Sequence, residues 1–301
     1  MRKNPLVDDE LQIVSDALRA HVEALSVDIG PRTPFTGDSL ERAAAYIHSV
    51  LVDAGYAVAE QSYQYVDHRV ANVIGTTAAA VGASDFYVVG AHYDTVQTTP
   101  GADDNASAVA VMLELARRVS RARLKVPVLF VAFTLEEPPA HLTRDQGSRV
   151  FVRQSRESGH RVRGAIILEM VGYTARRQYY PFIPRWPGYP AEGNFIGIIG
   201  NWRSRPFGHT VLQGFRNNRQ LPVESLFVPF NGWVLPATRL SDHASFWDTG
   251  WPALMVTDTA FFRNPNYHLP SDTIDTLDFA FMVELVMSLE LALRELPTGS
   301  T

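Results

Sequence analysis

Three apolar runs in the chain each close on groups that can bind a cation or move a proton. FYVVGA (86–91) leads into His92, Tyr93 and Asp94, VPVLFVAFTL (126–135) into Glu136 and Glu137, and GAIIL (164–168) into Glu169. Asp103, Asp104 and Asn105 follow the first run at the start of a helical pattern, and His268 follows the run PALMVTD (252–258) across a loop. From His92 to Asp104 is 12 residues, from Asp104 to Glu136 and from Glu137 to Glu169 is 32 each, and from Glu169 to His268 is 99. Imidazole and carboxylate groups gathered over such separations build a catalytic metal site on a rigid sheet, whereas a structural zinc site more often uses close Cys or His pairs.

Charge counting favours two metals over one. Asp104, Glu137 and Glu169 bring three negative charges and His92 and His268 are neutral ligands, so two divalent cations and a bridging hydroxide balance to zero. A single cation would leave net negative charge in a dry cleft, which is costly. Mixed imidazole and carboxylate ligands suit Zn²⁺, with Mn²⁺ or Co²⁺ as alternatives. Glu136 is the acid left over. A metal lowers the pKa of water from 15.7 to about 7, and a neighbouring carboxylate can take the proton. Glu137 is therefore assigned to the metal and Glu136 to the base. Adjacent residues point opposite ways on a strand, but an irregular strand end lets both face the rim. Asp94 fits a supporting role, accepting the free N–H of His92 and fixing its tautomer.

Groups at strand ends converge only if the strands share one sheet. In open α/β sheets, ligands bind outside the carboxyl ends of the strands. Leu11, Val14, Leu18, Val22 and Leu25 predict a helix over roughly 9–26, and Ala44, Ile47, Val50 and Leu51 a second over 39–54 with Gly55 as its stop. VAEQSYQYV, ANVIGTT, FIGIIGN and LPVESLFVP read as further strands. Further helices are expected over 104–120, 145–156, 204–218, 241–249 and 277–295. The alternation predicts a single α/β domain over 1–301, with a mainly parallel mixed sheet covered by helices on both faces and the N-terminal helices of 9–55 packed on its core. The Pro-rich stretch YYPFIPRWPGYP (179–190) reads as a loop within it.

Composition narrows the function. Lys plus Arg number 27 and Asp plus Glu 32, a net charge of −5, with no polybasic run, so neither nucleic acid nor an anionic membrane is an expected partner. The chain has no Cys, which excludes disulfides, Cys-based zinc or iron–sulfur sites and a thiol nucleophile. Acids interrupt the apolar residues of the N-terminus from Asp8 onward, so no signal peptide is expected, and no apolar run is long enough to span a membrane. The expected compartment is the cytoplasm, and oligomeric state is left open.

At these residues the chain resembles the co-catalytic zinc aminopeptidases, metallopeptidase family twenty-eight. HYDT, PGADDNAS, LEEP followed by GSRVF, LEMVGY and NPNYHLPSDT match in order and approximate spacing over residues 86–278. The resemblance implies a zinc-dependent exopeptidase fold and a peptide substrate with a free N-terminus. It places the metal ligands on His92, Asp104, Glu137, Glu169 and His268, with Asp104 bridging and Glu136 as base. Some members use the Tyr before the last His to polarise the scissile carbonyl, which falls on Tyr267. The family often has a cis peptide after its bridging Asp, predicted here at Asp104–Asn105. Many members have Asp where Glu169 stands and Gly where Ala108 stands.

Taken singly, most of these residues have plainer readings. Asp104 alone reads as a helix cap, Glu136 and Glu137 as a solvated strand end, His92 as a core imidazole and His268 as a loop residue. Ser241 or Asp242 reads as a cap for the helix that includes His243, or as a cleft wall. Phe261, Phe262 and Arg263 read as loop residues packed on the sheet, or as a substrate pocket. The combined reading is hydrolysis of N-terminal peptide bonds, with Glu136 or Glu169 accepting the substrate α-amine. The alternatives are a glutaminyl cyclase, an acyltransferase with one zinc; a carboxypeptidase with Arg239 or Arg263 as cationic reader; and a non-catalytic binding protein.

Overall fold

Residues 5–122, 124–180 and 188–298 are described by the computed structural model. The chain runs α1 (Pro5–Glu23), a π-helical turn (Ala24–Ile29), α2 (Ser39–Asp53), β1 (Ala57–Tyr65), β2 (His68–Thr76), β3 (Asp85–His92), α3 (Ala108–Arg121), β4 (Val128–Phe133), α4 (Gly147–Glu157) and β5 (Arg161–Glu169). It continues through β6 (Ile196–Asn201), α5 (Arg205–Asn217), β7 (Val223–Val228), α6 (His243–Asp248), β8 (Ala253–Thr257) and α7 (Phe279–Glu295). Part of the expected Pro-rich loop, 181–187, lies outside the described residues.

The eight strands form one sheet in the order β1-β2-β4-β3-β5-β8-β6-β7. The central four, β4, β3, β5 and β8, are parallel, while β2 and β6 pair antiparallel on either side. The sheet is thus mixed with a parallel centre, as the alternating pattern predicts. Strand alternation sends Val89, Phe130, Ile166 and Leu254 to one face, under α1, α2, α3, α5 and α7. Val88, Val131, Ile167 and Ala253 go to the other face, with Phe151 of α4 and Phe246 and Trp247 of α6. Both faces are covered, which is why the strands read as continuous apolar runs. The periodic residues Val14, Leu18 and Val22 of α1 are fully buried in the first of these cores. No helix among the described residues is long and apolar enough to cross a membrane.

The third helix departs from expectation. Periodicity extends it back to Asp104, but regular α3 starts at Ala108, and Asp104 and Asn105 have non-helical backbone angles. The segment is instead pulled into the rim at the carboxyl ends of the central strands by the contacts described next.

Candidate metal centre

His92 is the last residue of β3 and Glu169 the last of β5, so regular strand geometry delivers both to the same rim. Glu136 and Glu137 follow β4 by an irregular turn. Leu135 between them and the strand has φ of 56°, which breaks the alternation, and the Asp94 carboxylate accepts the backbone N–H of both Glu136 and Glu137 at 3.0 Å. Met170 and His268 also have positive φ, 45° and 60°. Such conformations in non-glycine residues collect where surrounding contacts over-determine the backbone.

Asp104 is positioned from three directions. The Asp272 carboxylate accepts the N–H of Asp103 at 2.9 Å and of Asp104 at 3.1 Å. The Asn105 side chain donates to the Leu168 carbonyl at 3.1 Å and accepts the Met170 N–H at 2.9 Å, stitching the loop to both sides of Glu169. Asp103 accepts from Gly172 N–H at 2.9 Å and Asn264 Nδ2 at 2.7 Å. The peptide Asp104–Asn105 is cis. Gly101, with φ of 61°, has no room for a side chain, because a Cβ would fall on the Asp104 carbonyl and the Thr95 methyl.

The five candidate ligands meet. His92 Nε2 lies 3.4 Å from Asp104 Oδ1 and 3.5 Å from Glu169 Oε2, while His268 Nε2 lies 3.2 Å from both Asp104 Oδ2 and Glu137 Oε1. Asp104 thus turns one oxygen to each of two triads, His92–Asp104–Glu169 and Asp104–Glu137–His268. His92 Nε2, both Asp104 oxygens, Glu137 Oε1 and His268 Nε2 are buried without a hydrogen-bond partner, although buried polar atoms are normally paired. Bonds of about 2.05 Å in a tetrahedron put ligand atoms about 3.3 Å apart. The observed separations match that edge, so the donor set fits a pair of divalent cations.

The electrostatics agree. Burial by itself lowers the pKa of His92, yet Glu169, Asp104 and Asp94 raise it well above the ordinary value. Burial also works against protonated His268, and Asp104 and Glu137 outweigh it, lifting the imidazole to about 10. Burial pushes Glu137 up to about 8, with Asp104 adding to the effect, and raises Glu136 strongly. Asp104 is the exception: burial opposes its ionisation, but His268 and His92 hold its carboxyl well below the usual range. The cluster therefore gathers positive charge, which protons or cations can supply.

Some assignments change in detail. His92 Nδ1 is 3.2 Å from the Asp94 backbone carbonyl and 3.6 Å from Asp94 Oδ1, so the carboxylate of Asp94 holds the Glu136–Glu137 backbone and its main chain meets the imidazole. Neither Ser241 nor Asp242 caps α6 with its side chain. Ser241 Oγ donates to Glu169 Oε2 at 2.6 Å, and Asp242 Oδ1 accepts from Gln146 Nε2 at 3.0 Å. His243 is a buried structural imidazole, its Nε2 2.8 Å from the Thr238 carbonyl. Tyr267 stacks on the His268 ring at 3.7 Å between centroids, and burial beside the carboxylates raises its hydroxyl pKa. Phe261 and Phe262 wall a cavity that reaches Glu169. Arg263 is buried, bonded to Gln178 and the Tyr173 carbonyl, and Arg239 pairs with Asp248 at 2.8 Å.

Other groups carry little sequence signal. Arg32 is 0% exposed and donates to the carbonyls of Tyr93, Leu25, Gly30, Pro100 and Gly101. Burial lowers its pKa to about 10 against the pull of Asp272, Asp104, Asp94 and Glu137, leaving a cation beneath the carboxylates at neutral pH. His141 Nδ1 lies 3.0 Å from Glu136 Oε1. Asp272 sits inside the NPNYHLPSDT motif, where its adjacency to His268 in sequence is the one clue.

The comparisons with known proteins agree with this fold. The chain is 35% identical over 282 residues to the uncharacterized protein YfbL of Escherichia coli strain K12, covering 90% of this chain and 85% of that protein. It is 26% identical over 220 residues to a probable leucine aminopeptidase of Arthroderma otae, covering 69% of this chain but 52% of that protein, so it spans about half of that relative's length. Its fold is similar to the Legionella pneumophila LapA aminopeptidase, with a TM-score of 0.75 and 20% identity over 100% of this chain and 76% of that one. It is similar also to a Bacteroides thetaiotaomicron glutaminyl cyclase, with a TM-score of 0.70 and 18% identity over 93% and 97% of the two chains. The model of peptidase family M28 matches residues 72–288, and with the relative that shares nine-tenths of its length this chain belongs to that family.

Proposed function

We propose that the chain is a metal-dependent aminopeptidase that hydrolyses the peptide bond after an N-terminal residue. The observation that carries the reading is Asp104, whose two unpaired, buried oxygens are shared between two ligand triads. His92, Asp104 and Glu169 would hold one cation, and Asp104, Glu137 and His268 the other. Two zinc ions, when bound, would polarise the scissile carbonyl and bring the pKa of the attacking water from 15.7 toward about 7.

Glu136 supplies the proton transfers. The residue is 5% exposed, and its Oε2 lies 4.0 Å from His92 Nε2, beside the triads. As a carboxylate it takes a proton from the attacking water and passes it to the leaving amine, while Asp94 fixes its backbone and His141 its Oε1. Tyr267 donates its hydroxyl to the carbonyl oxygen as charge builds there. Glu169 or Glu136 accepts the substrate α-amine.

Two observations favour this reading over its neighbours. Arg239 and Arg263, the candidate readers of a C-terminal carboxylate, are both engaged in internal bonds. Two complete triads favour a paired-metal hydrolase over a single-zinc acyltransferase. The test is metal analysis beside hydrolysis of aminoacyl reporters, N-blocked reporters and peptides with free C-termini. Two equivalents of zinc, activity on free N-termini and loss of both on chelation are expected. One equivalent, with cyclisation of N-terminal glutamine, would support the cyclase instead.

A further inference from the structure

The sheet extends the rim beyond the metal centre in a definite direction. Glu169 of β5 pairs with Thr257 of β8, Thr257 with Gly197 of β6, and Gly197 with Glu224 of β7. These four residues form one row across four strands and share a face. The row behind it, Met255, Ile199 and Leu226, is apolar. Together they floor a cavity that has Glu169 at one end and Glu224 at the other, with Phe261, Phe262, Leu235 and Leu240 on its sides. Gly197 keeps the middle of the polar row open.

We propose that this cavity receives the side chain of the substrate's N-terminal residue and that Glu224 selects a basic one, lysine or arginine. The inference rests on the aminopeptidase reading and adds its substrate class.

Length and charge both point that way. Three strand steps of about 4.8 Å separate Glu169 from Glu224 by about 14 Å, and two hydrogen bonds of about 2.9 Å leave about 8 Å between them. The six bonds from the α-nitrogen to Nζ of an extended lysine span about 7.5 Å. A leucine stops over the apolar row. The lysine methylenes would lie along Met255, Ile199 and Leu226 while the ammonium reaches Glu224, the usual division of a long basic side chain. Burial raises the Glu224 carboxyl, and among the described residues no cation offsets the effect. A basic substrate would give this acid a cationic partner that the described residues do not supply.

The test compares kcat/KM of the zinc-loaded protein on lysyl, arginyl, norleucyl and leucyl reporters, norleucine matching lysine in shape without its charge. Lysine and arginine should exceed norleucine by about tenfold or more, and Glu224→Gln should bring the lysine-to-norleucine ratio to within about threefold of one. A wild type that cleaves leucyl or norleucyl reporters as fast as lysyl ones overturns the proposal and leaves the aminopeptidase reading standing. The same holds for a Glu224→Gln ratio equal to that of the wild type. If no reporter is cleaved, the aminopeptidase reading fails. Calorimetric binding of lysinamide against norleucinamide then decides the pocket, and equal affinities overturn it.

Discussion

Replacing Glu136 by glutamine isolates the proton transfer from everything else at the site. The amide keeps the shape and volume of the carboxyl. The backbone of residue 136 stays tied to Asp94 at 3.0 Å, and the ligand atoms of both triads are untouched. His141 Nδ1, 3.0 Å from Glu136 Oε1, can still meet an amide oxygen there. What is lost is a group able to take a proton. General-base catalysis contributes typically 10²–10⁴-fold, so the barrier should rise by about 3–6 kcal/mol at about 1.4 kcal/mol per tenfold in kcat. KM should change little if the carboxylate serves mainly in the transition state. The assay is steady-state hydrolysis of an aminoacyl reporter, with zinc measured on the same protein. Two retained equivalents with a rate loss in that range support the role. A variant within about threefold of the wild-type rate refutes it, and a variant that loses its zinc shows that Glu136 is a ligand.

His268→Ala removes one corner of the second triad and should cost zinc as well as activity, and retention of two equivalents by metal analysis would contradict the ligand set. Arg32→Met takes the guanidinium from five backbone carbonyls, of which only Leu25 and Gly101 keep an N–H partner, from Gly30 and Ala106, and it removes the cation beneath the carboxylates, so a loss of about 3–5 kcal/mol is expected in denaturant titrations; a loss below about 1 kcal/mol would show the charge to be dispensable. The pH dependence of the metal-free protein follows from its buried acids. Burial lifts Asp242 and Asp272 to about 7 from 3.8, and Glu137 to about 8 from 4.5. The fold thus binds more protons than the unfolded chain. The stability these groups confer is full below their unfolded values and is lost as pH rises through 7 and 8. Chelated protein should therefore melt lower at about pH 8 than at about pH 5.5, by more than the 2 °C or so that about 1 kcal/mol represents, and added zinc should shrink the difference. Equal melting temperatures at the two pH values would show these carboxyls to be unperturbed.

The candidate site was legible in the sequence because strands are short, regular and buried. An acid or imidazole that closes an apolar strand has one place to go, the rim, and so His92, Glu136, Glu137 and Glu169 could be named from their positions alone. Periodicity likewise placed the helices and made the sheet mainly parallel. Capping logic misleads at Asp242, and at Asp104 it is the plainer alternative to the ligand reading. Asp104 and Asp242 have the residue type of a cap, but each is drawn away by partners distant in sequence, Asp272 acting on the first through the backbone and Gln146 on the second.

Tertiary structure alone decided what holds the centre together and how far it reaches. Arg32 meets the loop before Asp104 across a separation that no local pattern records, because its five acceptors are backbone carbonyls that any sequence would provide. Glu224 joins the row of Glu169 only through strand order and register, with β8 and β6 set between them. Sequence determines which residues can reach a strand end; which strand ends are neighbours is settled by the packing of the whole sheet.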